Sequence, residues 1–187
     1  GNICPLWVWP LSIKSIFSSG HRAPQGLFVE NDLILSTEHG PKGGDEINKI
    51  LFGENYGWPI ASYGDYYIKK NKTNSNTYSK KPYYKKNHTK LGFKEPIYAF
   101  VPSVGISEII KLPNQFSPHF QNNFLIGSLN GKSLFRVKFS ENFNKLLFVE
   151  KIFIGSRIRD IKYIKGTNTI LLALEYDGQI ALINTIN

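Results

Sequence analysis

The sequence has no methionine and a single cysteine, Cys4, among its 187 residues. Because translation begins at methionine, this absence predicts a processed or trimmed chain, or one part of a longer reading frame. One cysteine excludes an intrachain disulfide framework and a cysteine-rich metal site. No run of about 18 apolar residues occurs, so the sequence predicts no membrane span. The hydrophobic share of 41% and the aromatic share of 14% exclude a disordered polymer and predict a folded core.

Acidic residues are absent from residues 66–94, a segment that contains nine lysines. Without these nine, 14 basic residues remain against 14 acidic ones, so the net charge of +9 belongs to this segment alone. Its Asn, Ser, Thr and Tyr content predicts a basic insertion loop within a single domain of residues 1–187. Tyrosines between lysines would suit a polyanion contact. A block of like charge is more often a solvated, flexible loop, which makes nucleic acid the less favoured partner.

Helical periodicity is missing throughout, and short runs of Ile, Leu, Val and Phe alternate with turn residues instead. Asn130-Gly131 and Asp177-Gly178 are hairpin signals, because these residue types tolerate positive φ. The pattern predicts an all-β chain of about eleven strands in meanders. Periodicity alone leaves a sandwich, a barrel and a propeller open. The predicted strands are residues 26–30, 33–37, 47–52, 97–101, 108–112, 123–129, 133–139, 146–153, 158–164, 169–175 and 179–183.

Several motifs distinguish between these folds. They include His-Arg-Ala-Pro-Gln-Gly-Leu at residues 21–27, the stretch 37–48, Asn-Tyr-Gly-Trp-Pro at 55–59, and the stretches 63–65, 101–103, 126–129 and 156–160. In this order and spacing they resemble the soluble glucose/sorbosone dehydrogenase family, the aldose sugar dehydrogenases that depend on pyrroloquinoline quinone (PQQ). The likeness covers about residues 14–183. It implies a β-propeller, six-bladed in the family, of which this chain would form an incomplete C-terminal set of about three to four four-stranded blades.

Four polar side chains and a serine are the candidate cofactor contacts. Arg22 lies near Gln25, and a guanidinium with a carboxamide can recognise a flat ligand that bears carboxylate or carbonyl oxygens. Arg157 and Arg159 are two residues apart, so in a strand both point to one face and repel each other unless an anion lies between them. An ordinary surface role is the alternative. The resemblance implies that these four contact PQQ, a tricarboxylate, and that Ser103 makes a smaller polar contact.

The resemblance also implies two Ca²⁺ sites. The carbonyls of Gly40 and Pro41 would hold the ion that polarises the quinone, although these residues alone would indicate a plain turn. Backbone carbonyls are suitable ligands for this hard cation, which acts as a Lewis acid. Glu46, the backbone of Tyr56, and Asp65 match a second, structural site in the family.

The sequence departs from the family pattern at two positions, and it lacks the family's general base. Ala23 replaces an Asn that would bond the cofactor, and Asn130 replaces a Lys. The family's general base is a His from an early blade outside the matched part, so no catalytic residue is assigned here. The histidines present are predicted as supporting groups (His21, His39) or as surface residues (His88, His119).

The resemblance therefore implies a fragment of an enzyme that oxidises the C1 hydroxyl of aldoses by hydride transfer to PQQ. Its partners would be a sugar substrate and an external electron acceptor, with a homodimer compatible with the parent, and its location periplasmic or secreted. The chain alone is expected to be inactive. The alternatives are a non-catalytic propeller that binds a partner, and a polyanion-binding protein that uses the lysine-rich loop. Residues 43–46 also resemble a cyclic-dinucleotide cyclase signature, but such enzymes need helices that this sequence does not predict.

Overall fold

The computed structural model describes residues 16–66 and 83–184. This part of the chain forms eleven strands and two short 3₁₀ helices, without an α-helix, so the predicted all-β class is confirmed. Nearly every strand lies where the sequence predicts it. The elements are β1 (Pro24–Glu30), β2 (Leu33–Glu38), β3 (Asp45–Lys49), β4 (Tyr98–Phe100), β5 (Ile106–Lys111), β6 (Asn123–Ser128), β7 (Ser133–Phe139), β8 (Leu146–Phe153), β9 (Ile158–Ile164), β10 (Thr169–Leu174), β11 (Gln179–Asn184) and the 3₁₀ helices Thr89–Leu91 and Pro118–Phe120.

Consecutive strands pair into three antiparallel sheets. The first contains β1 to β4 and the second β5 to β8, each in sequence order, while the third contains β9 to β11. Neighbouring sheets contact each other through their first strands, β1 with β5 and β5 with β9. Within the described residues the chain thus forms two four-stranded blades and one three-stranded blade, and the sheets do not close into a ring.

The second sheet is buried between the other two. In β6, Phe124 and Ile126 pack into the core shared with the first sheet, and Leu125 packs into the core shared with the third. Burial on both faces explains why β6 has no polar alternation. Leu35 and Ile161 lie on the facing sides of the outer sheets and are 0% exposed. Truncating one of these side chains to alanine would cost about 2–5 kcal/mol.

The outward faces of the first and third sheets carry exposed apolar side chains. Leu27 and Val29 of β1 are 66% and 58% exposed, and Ile180 and Leu182 of β11 are 65% and 64% exposed. No helix in the described ranges is long and apolar enough to cross a membrane.

One end of the three sheets collects the loops that carry the predicted site residues. Pro24 at the start of β1 pairs with Glu38 at the end of β2, so the β2–β3 connection lies at the end where β1 begins. Hydrogen bonds align the sheets there, since the Thr37 hydroxyl donates to the Ser107 carbonyl (2.5 Å) and the Ser107 hydroxyl donates to that of Ile158 (2.6 Å). We call this end, where β1, β5 and β9 begin, the upper end.

The third strand begins at Asp45 and ends at Lys49, rather than spanning residues 47–52, because its two acidic residues are buried and pair with β4.

In the basic segment 66–94, residues 67–82 lie outside the described residues. In the described remainder, the Lys86 ammonium donates to the carbonyls of Tyr63 (3.0 Å) and Gly64 (2.6 Å), so this lysine anchors a loop.

Candidate functional site

The structure places every predicted cofactor residue at the upper end of a sheet. Arg22 and Gln25 lie at the start of β1, and Gly40 and Pro41 lie in the β2–β3 connection. Ser103 precedes β5, while Arg157 and Arg159 lie at the start of β9. Because the first strands of neighbouring sheets are in contact, these loops share one end of the molecule. Their roles toward a ligand remain predictions.

Arg22 is half-buried and fixed from several sides. Its backbone N–H donates to a Glu38 carboxylate oxygen (2.9 Å), and its Nη1 donates to the His39 carbonyl (3.0 Å). The guanidinium carbon lies 5.2 Å from the centre of the Trp58 ring. Its Nε is buried and has no partner in the part of the chain that the structure describes. A positioned guanidinium with an unused donor fits a ligand that carries carboxylates.

Gln25 is less constrained than Arg22. Its side chain is exposed, and Nε2 donates to the carbonyls of the two preceding residues at 3.1 Å each. These bonds hold the carboxamide at the rim of the loop. A ligand that used Gln25 would have to replace weak local bonds only, which costs little at an exposed position.

A buried acidic cluster lies beneath Arg22. Glu38 accepts hydrogen bonds from Asn48 Nδ2 (2.6 Å) and lies 3.0 Å from His21 Nδ1, while Asn48 Nδ2 also reaches Glu46 (3.3 Å). The His21 ring stacks on Tyr56 at 4.5 Å. Burial, and then the neighbouring charge of Glu38, raise the pKa of Glu46 to about 8. His21 is thus a supporting group, as predicted.

The residues predicted for the second Ca²⁺ site are only partly brought together. Glu46 and Tyr56 line one small pocket with Arg22, but Asp65 is not part of its lining. The Asp65 carboxylate is exposed and lies 3.2 Å from Lys86 Nζ. Among the described residues, no group of three or more His, Cys, Asp or Glu side chains could hold a metal. A buried carboxylate with a raised pKa still fits a hard cation, which would need backbone carbonyls as further ligands.

The arginine pair of the third sheet has an internal anion that the sequence did not reveal. Glu175 Oε2 accepts from Arg157 Nε at 3.1 Å and from Arg159 Nη2 at 2.7 Å. The hydrogen bond from Arg157 is the main cause that lowers the pKa of Glu175. The Arg157 guanidinium also lies 5.1 Å from the ring centre of Tyr176. The two arginines therefore converge on one point, as their spacing predicts, with Glu175 as the anion between them.

Asp45 is the functional-site residue that sequence reasoning missed most clearly. Its carboxylate accepts backbone N–H bonds from Gly40 and from residues 104–106, which belong to two different loops of the upper end. The only sequence signal was its place after Gly43-Gly44, which suggested an unrelated enzyme signature. A buried aspartate beside glycines can instead indicate a carboxylate that caps backbone amides.

One histidine prediction is wrong. His88 was expected at the surface but is 1% exposed, with its ring stacked on Tyr63 at 5.3 Å. Burial lowers its pKa, although Glu95 Oε2 lies 3.5 Å from Nδ1. The polar, lysine-rich surroundings concealed this because the burial comes from residues distant in sequence. His119 is exposed, as predicted.

A larger cavity of about 570 Å³ lies away from these residues. Its lining includes Lys49 at the end of β3 and Asn142 in the β7–β8 turn, both at the opposite end from the candidate site. None of the predicted cofactor residues borders it. The larger cavity and the predicted site residues therefore lie at opposite ends of the sheets.

Comparison with known proteins agrees with the motifs at the upper end. The sequence model of the Glucose / Sorbosone dehydrogenase family matches residues 10–182. The chain belongs to this family. Its predicted membership is confirmed by a match that covers almost the whole chain.

Two relatives of this family member are named as sugar dehydrogenases. It is 30% identical over 176 residues to the aldose sugar dehydrogenase YliI of Escherichia coli (strain K12), covering 92% of this chain and 44% of that protein. It is 51% identical over 55 residues to quinoprotein glucose dehydrogenase B of Acinetobacter calcoaceticus, covering 28% of this chain and 12% of that one. A solved glucose dehydrogenase superposes with a TM-score of 0.72 at 28% identity, covering 98% of this chain and 50% of that chain.

These matches confirm the propeller-type fold. The chain spans about half of the solved glucose dehydrogenase and under half of the Escherichia coli relative. The three open blades described above thus correspond to part of the relatives' length.

Proposed function

We propose that this family member is the cofactor-holding part of a PQQ- and calcium-dependent dehydrogenase that oxidises the C1 hydroxyl of an aldose. The observation that carries the proposal is that Arg22, Arg157 and Arg159 all lie at the upper end, which also carries the loop of Gly40 and Pro41. The resemblance to the Acinetobacter relative, a quinoprotein glucose dehydrogenase, supports PQQ as the cofactor. PQQ is a flat tricarboxylate, and guanidiniums recognise carboxylates through paired hydrogen bonds.

The chain's own residues would bind and orient the cofactor. Arg22, with its unused buried Nε, and the pair Arg157 and Arg159 would hold carboxylate and carbonyl oxygens. Gln25 and Ser103 would add neutral hydrogen bonds at the rim. When bound, PQQ supplies the hydride-accepting chemistry, while the protein supplies orientation and electrostatics.

Two Ca²⁺ sites complete the proposal. The carbonyls of Gly40 and Pro41 would hold one ion at the upper end, where it would act as a Lewis acid. The second would use Glu46, the Tyr56 carbonyl and Asp65, provided that Asp65 leaves its ion pair with Lys86. Since Lys86 and Asp65 form an exposed pair, that exchange would cost little.

Proton removal from the sugar would require a base that none of the four histidines provides. His21 is bonded to Glu38, and His88 is buried against Tyr63. We therefore expect the isolated chain to oxidise no sugar, and we expect it to bind PQQ weakly because it spans only about half of the solved glucose dehydrogenase. An external electron acceptor, a periplasmic or secreted location and a homodimer belong to the same proposal for the parent enzyme.

The test is a titration of the calcium-loaded chain with PQQ, followed by quenching of tryptophan fluorescence. Substituting Arg22, Arg157 or Arg159 by Gln should weaken binding about tenfold or more, as for lost charge-assisted bonds. Arg136→Gln is the matched control, because Arg136 pairs with Glu150 on the outer strands β7 and β8. Equal loss in the control, or no PQQ binding by the unmodified chain, would contradict the proposal. Sugar-dependent dye reduction by the isolated chain would contradict its predicted inactivity.

One observation favours a second candidate, a non-catalytic propeller that binds a partner. Glu175 already neutralises part of the charge of Arg157 and Arg159, and Ala23 and Asn130 remove two groups of the family pattern. A quinone absorbance band in the purified longer parent would support the enzyme. Absence of that band after loading with PQQ and calcium would favour the binding module.

A further inference from the structure

The carboxylate of Asp45, the first residue of β3, holds two loops at the upper end. Asp45 is 0% exposed. Its Oδ2 accepts from the backbone N–H groups of Val104 (3.0 Å), Gly105 (2.6 Å) and Ile106 (3.0 Å). Its Oδ1 accepts from the backbone N–H of Gly40 (3.1 Å). A buried carboxylate is stable when hydrogen bonds replace its hydration, and here four backbone donors do so.

The three amides of residues 104–106 form a concave cradle for an anion. Three successive N–H groups can point at one oxygen only if the backbone turns sharply, and Gly105 has a φ of +64°. A Cβ at Gly105 would also lie 2.9 Å from the backbone nitrogen of Asn130. Such cradles often bind ligand anions, but here the chain's own Asp45 fills it. The shape of the loop that contains Ser103 therefore depends on Asp45.

The other oxygen of the same carboxylate fixes the β2–β3 connection. Gly40 donates its N–H to Asp45, and the carbonyls of Gly40 and Pro41 are the groups proposed above to hold Ca²⁺. We propose that Asp45 is a positioning residue that couples the calcium-holding carbonyls of Gly40 and Pro41 to the loop of Ser103. The inference rests on the proposed function for its calcium, whereas the coupling of the two loops rests on the hydrogen bonds alone.

Asp45→Asn separates the two halves of this coupling. An asparagine oxygen can satisfy the three amides of residues 104–106, which leaves the NH₂ group facing the Gly40 N–H. Two donors repel, so the Gly40 connection should loosen while the cradle persists. Asp32→Asn is the matched control, because Asp32 is exposed in the β1–β2 turn at the opposite end of the first sheet. Gly105→Ala disturbs the cradle instead, at a residue without any contact to the proposed ion.

The first measurement is hydrogen exchange of the calcium-free 187-residue chain. Asp45→Asn should accelerate exchange at Gly40 but not at residues 104–106 or in β6. Gly105→Ala should accelerate exchange both at residues 104–106 and at Gly40. Unchanged exchange at Gly40 in both variants would overturn the inference, and so would uniform acceleration throughout β6, which would show a general structural role only.

The second measurement is a calorimetric titration with Ca²⁺. Asp45→Asn should weaken calcium binding about tenfold, the usual scale for loss of an outer partner of a metal ligand, and Gly105→Ala should weaken it as well. Asp32→Asn should bind like the unmodified chain. If both Asp45→Asn and Gly105→Ala bind calcium as tightly as the unmodified chain, Asp45 has no role toward the ion. If the unmodified chain binds no calcium while the exchange pattern holds, the calcium site of the proposed function falls and the coupling of the loops stands.

Discussion

At the upper end, the first sheet keeps its acidic side chains inside the protein, whereas the third sheet keeps its charged side chains nearer the surface. Glu38, Asp45 and Glu46 are 3%, 0% and 9% exposed and are surrounded by backbone amides, an asparagine and a histidine. The side chains of Arg157 and Arg159 are 23% and 48% exposed, and they pair with Glu175, which is 34% exposed. Buried charges interact strongly and fix the loops around them, while exposed charges are screened and adjust to a ligand. The buried acidic side chains of the first sheet thus suit a rigid support for Arg22, whereas the arginine pair of the third sheet suits an adjustable clamp.

The largest effect should come from removing a buried carboxylate. Glu38→Ala would leave the N–H of Arg22, the amide of Asn48 and the ring of His21 without their acceptor. We expect the free energy of unfolding to fall by about 3 kcal/mol or more, measured by urea denaturation. Glu175→Ala, the same change in the third sheet, should leave the urea midpoint unchanged. Equal losses would show that the two regions do not differ in the way described.

Between pH 4.5 and 8, Glu46 of the first sheet should make stability fall as the pH rises. Because the folded chain raises the pKa of Glu46 from 4.5 to about 8, it binds this proton more tightly than the unfolded chain does. The stabilisation is present below pH 4.5 and is lost as the pH rises toward 8, at up to about 1.4 kcal/mol per pH unit. Urea denaturation in calcium-free buffer should show this loss for the natural sequence. Glu46→Gln should remove it, and an identical slope in that variant would contradict the assignment.

The sequence predicted the strands well because their signals are local. Alternating apolar runs and Asn-Gly or Asp-Gly turns depend on neighbouring residues, and ten of the eleven strands lie within two residues of their predicted bounds. The exception is β3, which begins with Asp45 and Glu46. Its start was not predicted because acidic residues are uncommon in strands. The burial of these two residues depends on β4, some fifty residues later, which no local pattern shows.

The candidate site was predictable only in part for the same reason. The motifs identified Arg22, Arg157 and Arg159, and they lie at the upper ends of the first and third sheets. The partners that fix them could not be predicted, since Glu175 meets Arg157 across the β9–β10 pair and Asp45 reaches residues 104–106 in the next sheet. Pairing between strands creates those contacts, so they emerge only with the fold.

A smaller effect should distinguish Arg22 from the pair Arg157 and Arg159, namely the salt dependence of PQQ binding. At low ionic strength, Arg157→Gln with Arg159→Gln and the single change Arg22→Gln should each weaken PQQ binding about tenfold or more. In 1 M salt the screening length falls to about 3 Å, so the loss at this pair should shrink, because the Arg159 side chain is 48% exposed. The loss at half-buried Arg22 should persist, because little salt enters there. If both losses depend on salt in the same way, as measured by fluorescence titration, the distinction between the rigid first-sheet support and the adjustable third-sheet clamp is wrong.

The smallest effect concerns the aromatic ring beside each arginine. Arg22 lies 5.2 Å from the ring of Trp58, which is half-buried and packs on Tyr84 at 5.3 Å, while Arg157 lies 5.1 Å from the ring of Tyr176, which is 72% exposed. A cation–π contact contributes about 0.5 kcal/mol at an exposed site and about 2 kcal/mol when water is excluded. Because Trp58 is only half-buried, Trp58→Leu should lower the free energy of unfolding by about 1 kcal/mol and Tyr176→Leu by about 0.5 kcal/mol, measured by urea denaturation. If Tyr176→Leu lowers the free energy of unfolding as much as Trp58→Leu does, Arg157 is held as firmly as Arg22. The third-sheet clamp would then be as rigid as the first-sheet support.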